Sequence, residues 1–195
     1  MLEVKRAQKI IPTKYEVGDQ IEIDIMQFGK YTATCQKIDE ETSLFMFDEV
    51  VSFQQMNETC TNVGGFAKSD LKEWMNNILL IYFPDDVVWN MKTFEDDSAL
   101  RLPTVAEMFG PKAFGTRYGI EEVERLPLME NRRNRIVSDE WTEYAWYWLS
   151  NPMTALNNKE DFAFIADTGR ISHGKATNIY GVRPMFQLLN HERSE

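Results

Sequence analysis

Histidine and cysteine are nearly absent from this chain, with two of each among 195 residues. His173 and His191 have no Cys, Asp or Glu at metal-ligand spacing, which argues against a dedicated zinc site. His191 reads as tail. Cys35 and Cys60 are separated by 24 intervening residues without a C-x-x-C pattern, too few for a disulfide framework, and read as two buried free thiols. No apolar run approaches the roughly 20 residues of a membrane-spanning helix, and the opening MLEVKRAQKIIPTKY lacks the apolar stretch of a signal peptide. The expected location is therefore cytoplasmic or virion-associated. Positive charge is also short: 21 Lys and Arg against 31 Asp and Glu leave a net charge of -10. That balance disfavours direct binding to nucleic acid or to an anionic membrane.

Apolar and aromatic material is plentiful. At 43% hydrophobic residues, including 12 Phe, 7 Tyr and 5 Trp, the chain has enough to build a core and too much to stay disordered. Its length suits one domain, expected over residues 15 to 190, with an arm at 1 to 14 and a tail at 191 to 195. Ile21, Ile23 and Ile25 alternate with polar residues, the period of a half-buried strand, and Phe28 to Tyr31 turns the chain. Thr32 to Ile38 reads as a second strand, Asp39 to Thr42 as a polar turn and Leu44 to Phe53 as a third strand. Ser69 is placed to cap a helix that buries Leu71, Trp74 and Ile78, and full burial of the indole would make Trp74→Ala cost about 3 to 5 kcal/mol. Thr104 and Glu107 form a capping-box pattern ahead of a short helix ended by Gly110-Pro111. Residues 115 to 139 are polar and set Arg132, Arg133 and Arg135 beside Glu121, Glu122 and Glu124, the texture of a long surface excursion. Phe162 to Ala166 and Tyr180 to Leu189 read as late strands, the first closed by an Asp167-Thr168-Gly169-Arg170 turn.

Four landmarks stand in order. They are Gly64-Gly65-Phe66 leading to Ser69-Asp70-Leu71-Lys72-Glu73-Trp74-Met75-Asn76; Trp146-Tyr147-Trp148-Leu149-Ser150-Asn151-Pro152; Ile165-Ala166-Asp167-Thr168-Gly169; and Tyr180-Gly181-Val182-Arg183-Pro184. Together they resemble an uncharacterised domain family of bacteria and their prophages, over roughly residues 15 to 190. That family is similar to the C-type-lectin-like fold shared by formylglycine-generating enzymes and by receptor-binding proteins of some phages. The resemblance implies an α+β fold of mostly antiparallel strands, two or three helices and long loops. The chain departs from the pattern at Ser150-Asn151-Pro152, where the family has R-S-P, so an arginine is missing here.

Chemistry is weighed against that scaffold. Formylglycine-generating relatives are copper-dependent oxidases that use two late cysteines, and no cysteine follows Cys60. A serine hydrolase would need His173 as base, yet no G-x-S-x-G elbow precedes it. The acidic pairs Asp85-Asp86 and Asp96-Asp97 read as solvated turns, and the sugar-binding calcium signatures of true lectins are absent, leaving Glu95, Asp96 and Asp97 as a weak oxygen cluster. The run Trp141, Tyr144, Trp146, Tyr147, Trp148 has two readings, a stacking surface for a sugar or protein partner and a buried core. Alternation puts Tyr144, Trp146 and Trp148 on one strand face and Tyr147 and Leu149 on the other, and core is favoured for one of the two faces. Arg183, before Pro184, is read as a buried arginine satisfied by carboxylates or carbonyls, on an edge or bulged strand.

The expected function is a non-enzymatic binding module of phage or mobile-element origin, without cofactor or metal, recognising a protein or glycan through late loops. Its candidate residues are Asn157, Asn158, Lys159, His173, Lys175, Asn178 and Tyr180. Charge supports an alternative: a small acidic phage-encoded inhibitor that blocks a basic nucleic-acid-binding cleft of a host defence protein, using Asp96, Asp97, Glu121 and Glu122. On either reading a chelator leaves the melting temperature unchanged; loss of stability on chelation, restored by adding back one metal, would reveal a structural site.

Overall fold

The computed structural model describes residues 15–119, 121–138 and 144–190. The expected arm, the tail with His191, and Trp141 lie outside them. The fold is α+β, with two five-stranded sheets and a few short helices. The first sheet has the order β1-β2-β3-β10-β5, from β1 (Gln20–Ile25), β2 (Gly29–Ile38), β3 (Thr42–Phe47), β10 (Met185–Leu189) and β5 (Met91–Lys92). The second has the order β4-β9-β6-β7-β8, from β4 (Ser52–Gln55), β9 (Ile179–Val182), β6 (Tyr147–Pro152), β7 (Asp161–Ile165) and β8 (Ile171–Lys175). All pairings are antiparallel except that of β6 with β9.

Local chemistry accounts for the first hairpins. Ile23 and Ile25 face inward while Glu22 and Asp24 face water. Asp39 Oδ1 accepts from the backbone N–H groups of Glu41 and Thr42, closing the polar turn before β3. The first turn is Met26 to Phe28, with Gln27 at φ 67°, so β2 begins at Gly29 and is longer than the sequence suggests.

Two expected single strands are each divided between the sheets. The stretch from Leu44 to Phe53 breaks at Asp48 to Val51, and Tyr180 to Leu189 breaks at Arg183-Pro184. The two breaks lie side by side, since β3 pairs with β10 in one sheet and β4 with β9 in the other. A two-stranded ribbon thus passes from sheet to sheet and turns a corner midway. Phe47 N–H donates to Pro184 O and Val51 N–H to Val182 O, keeping the ribbon joined through the bend. Both strands change sheet because Pro184 has no N–H to extend a ladder. Gly181 completes the corner: a Cβ there would come within 2.4 Å of Val50 Cγ1.

Burial of both sheet faces follows. Alternate residues of β3 and β6 enter two different cores: Phe45, Phe47 and Trp148 the first, Leu44, Met46, Tyr147 and Leu149 the second. The first core is closed by α1 (Asp70–Asn77), where Ser69 caps the helix by accepting from Lys72 N–H. The inward residues of this helix are Leu71 and Met75, followed by Leu79 in the next 3₁₀ turn. Trp74 is half-buried against Phe28, and Ile78 is 47% exposed, which corrects the expected face. The helix ends at Asn77, so the three-and-four spacing that carried Ile78 inward stops applying. The second core is closed by α3 (Val105–Phe109). Its Thr104–Glu107 capping box is present, and Arg101 grips the Glu107 carboxylate with both terminal nitrogens. A short α2 (Asp85–Val88) lies between them in sequence.

The 115 to 139 stretch lies largely at the surface among its described residues, as expected, but it is pinned to the interior at several points. Tyr118, Leu126, Met129 and Val137 are buried in the second core, and Arg135 is buried with them. Arg135 Nε donates to Gly169 O and Nη1 to Met108 O, while its guanidinium lies over the Phe109 ring. Gly169 at φ 69° permits this approach, since a Cβ would sit 2.8 Å from Arg132 O. The segment is mostly exposed, as its polar composition suggests, and these buried residues anchor it to the second core.

These placements set a stability contrast along α1. Met75→Ala is expected to cost about 2 to 5 kcal/mol because it empties a closed core position. Ile78→Ala is expected to change stability by no more than about 0.5 kcal/mol. Urea midpoints of the two variants check the difference.

Candidate functional site

The second sheet presents one face to the first core, and the upper end of that face is open. Trp146 precedes β6 and shares the face of Trp148; it is 43% exposed, whereas Trp148 is sealed below it. The Trp146 indole stacks on Phe164 with ring centroids 5.2 Å apart and planes 13° apart. Tyr180 of β9 touches all three rings, at 4.5 Å from Trp148 and Phe164 and 5.6 Å from Trp146. Asn178 Nδ2 donates to the Tyr180 hydroxyl at 2.9 Å, and Gly174 leaves room for it, since a Cβ there would fall 2.8 Å from that oxygen. The outcome is an exposed indole on a rigid aromatic support with a polar edge.

Register divides the expected late-loop residues between two faces. Asp161, Ala163 and Ile165 oppose Lys175, His173 and Ile171, so His173 and Lys175 project from the face opposite Tyr180. On that side Lys175 pairs with Glu160 at 3.3 Å, and His173 Nε2 lies 3.9 Å from Asp161 Oδ2. Asn158 is occupied by its own turn: Oδ1 accepts from the N–H groups of Glu160 and Asp161, and Nδ2 donates to Asp161 Oδ2. Lys159 is exposed, and its carbonyl accepts from Asn62 N–H. Asn157 is exposed with φ 55°.

Beside Asn157 stands a residue that the sequence reading passed over. Leu156 is 95% exposed and holds φ 58°, a left-handed conformation that side chains disfavour. Such strain costs about 1 to 3 kcal/mol and concentrates at functional positions. Nothing in the Thr-Ala-Leu-Asn-Asn composition distinguishes an exposed Leu from a buried one.

The acidic set is likewise divided. Asp96 pairs with Lys72 of α1 at 2.5 Å and accepts from the Ser98 hydroxyl and N–H. Glu121 Oε1 accepts from Asn151 Nδ2, and Asn151 Oδ1 in turn accepts from Val105 N–H at the start of α3. Asp97 and Glu122 are exposed, and no hydrogen bond or ion pair among the described residues links the two acidic pairs. Both thiols are free and Cys35 is buried as expected, with burial pushing its pKa up to about 11, but Cys60 is exposed. Among the described residues no group of three or more His, Cys, Asp or Glu is arranged to hold a metal, and no helix is long and apolar enough to cross a membrane. The chain matches no protein-family model, no curated protein and no solved structure.

Asp96 supplies a pH test of its structural role. Partial burial acts to raise its pKa, but the Lys72 ammonium and the Ser98 donors outweigh it and bring the value down to about 2. A carboxyl depressed in the folded state stabilises the fold above its unfolded pKa of about 3.9. That contribution is lost as pH falls through about 2. The stability gap between wild type and Asp96→Asn, read from urea midpoints, should therefore be present at neutral pH and close on acidification through this window.

Proposed function

We propose that this chain is a non-enzymatic binding module, of phage or mobile-element origin, built on a C-type-lectin-like scaffold. It recognises a protein or glycan through the Trp146 face, with the exposed Leu156 loop beyond the far end of β6 as a further contact. The observation that carries this reading is the exposed Trp146 indole stacked on Phe164 and braced by Tyr180. An aromatic ring already fixed in place binds with little further loss of side-chain freedom, and Trp and Tyr dominate recognition energetics. A flat indole face suits the C–H surface of a sugar ring or an apolar side chain, and Asn178 supplies a polar group at its edge. The acidic-inhibitor alternative draws on net charge alone, and two of its four carboxylates are engaged by Lys72 and Asn151.

The test is a glycan array alongside capture of host proteins, followed by titration of the recovered ligand. Trp146→Ala and Leu156→Ser are expected to weaken binding at least about tenfold, as recognition hot spots do. Asp97→Lys and Glu122→Lys should leave it unchanged and only weakly salt-dependent. Binding that survives the first pair, is abolished by the second and falls steeply with salt would instead identify an electrostatic inhibitor surface.

A further inference from the structure

A second site, separate from the Trp146 face, lies between the β1–β2 end of the first sheet and the segment 127 to 136. A cleft of about 430 Å3 opens there. Opposite charges stand in its walls without pairing. Arg183 is 3% exposed; its Nε donates to Phe47 O and its Nη1 to Asn134 O and Tyr147 Oη, and it forms no ion pair with any described carboxylate. Asp48 directly follows Phe47 in the chain, accepts from Thr34 Oγ1 at 2.6 Å and Gln20 Nε2 at 3.0 Å, and likewise has no described cationic partner. Arg133 adds a further exposed positive charge to the same wall as Asn134.

Gln36 points to a ligand independently of these charges. It occupies the register shift between Cys35 and Lys37, where β2 bulges against β3. Bulges redirect side chains and are concentrated beside binding sites. Gln36 is 1% exposed and belongs to the cleft wall; its Nε2 donates to Thr34 O, while its Oε1 is buried with no hydrogen-bond partner. A buried acceptor left unsatisfied is costly in a folded protein unless something else supplies a donor.

We infer that this cleft binds a small zwitterion of the α-amino-acid type, with its carboxylate toward Arg183 and Arg133 and its ammonium toward Asp48 and the orphaned Gln36 oxygen. An anion alone would complement the arginines but bring no donor to Gln36 and oppose Asp48. A cation alone would meet the reverse mismatch. A molecule carrying both charges a short distance apart matches both walls at once.

The experiment measures thermal stability and calorimetric binding of the full chain with the common amino acids tested one at a time. Acetate serves as the carboxylate alone, methylamine as the ammonium alone, and glucuronate as a carboxylated sugar without ammonium. At about a hundred times its Kd, a matching amino acid is expected to raise the melting temperature by about 5 to 10 °C. Acetate and methylamine should do far less. Asp48→Asn and Gln36→Met, each confirmed folded by circular dichroism, should weaken that amino acid at least about tenfold, as should the surface change Arg133→Gln if either of the first two fails to fold. The proposal is overturned if no amino acid shifts the transition at about 10 mM, a concentration at which even millimolar affinity registers. It is also overturned if acetate or glucuronate shifts it equally, or if affinity survives in the folded variants. None of these readouts involves Trp146, so failure here leaves the aromatic-face proposal standing, and the reverse holds.

Discussion

Arg183 holds the corner on which both sheets turn. Its guanidinium is buried without a carboxylate, and it is held by the Phe47 carbonyl of β3, the Asn134 carbonyl and the Tyr147 hydroxyl of β6. An isolated buried charge is very costly, so these neutral acceptors must converge on it with good geometry. That requirement ties together three distant parts of the chain: the end of β3, the start of β6 and the 127 to 136 segment. Tyr147 extends the tie by donating to Arg135 O, and Arg135 in turn reaches Gly169 and Met108. Burial raises the Tyr147 pKa, keeping the phenol neutral and able to donate.

This corner explains why the molecule has two cores rather than one. A ribbon that leaves one sheet and enters the other cannot keep one face wet, so β3 is buried on both sides and β6 nearly so. The exposed surfaces left over are the ends and edges of the sheets. The aromatic platform occupies one such end, where Trp146 emerges just before β6 sinks into the interior. The charged cleft occupies another, where the first sheet meets the segment pinned by Arg183. Both candidate sites thus rest on rigid backbone, the arrangement that lets a binding surface act without first being ordered.

Much of the local structure was legible in the amino-acid order. The Ile21-Ile23-Ile25 alternation, the Ser69 cap, the Thr104–Glu107 capping box and the Asp167 to Arg170 turn depend on residues within a few positions of one another, where side-chain chemistry acts directly on the neighbouring backbone. Alternation likewise separates Trp146 and Trp148 from Tyr147 and Leu149, but both faces of β6 are buried, and Trp146 is exposed because it lies just before the strand enters the interior. Arg183 was legible as buried, since a charge beside Pro184 within an apolar strand has few other outcomes, but only the fold decided that carbonyls and a hydroxyl rather than carboxylates satisfy it.

What the tertiary structure alone decided was how far each pattern extended and which face each residue met. Leu44 to Phe53 and Tyr180 to Leu189 are continuous apolar stretches, and only their pairing with each other bends both at the same level into different sheets. The 115 to 139 stretch is polar in composition, yet Arg135 and four apolar residues within it are drawn inward because distant carbonyls and a Phe109 ring await them. His173 and Lys175 were separated from Tyr180 by strand register, a property of two partners that neither strand carries alone. The sequence by itself determined the strands, caps and turns because their causes are local. The division into two cores and the Gln36–Asp48–Arg183 cleft arise from contacts between segments more than a hundred residues apart, as in the Arg183–Phe47 hydrogen bond, and the Trp146 platform from the pairing of separate late strands; such contacts exist only once the chain has closed on itself.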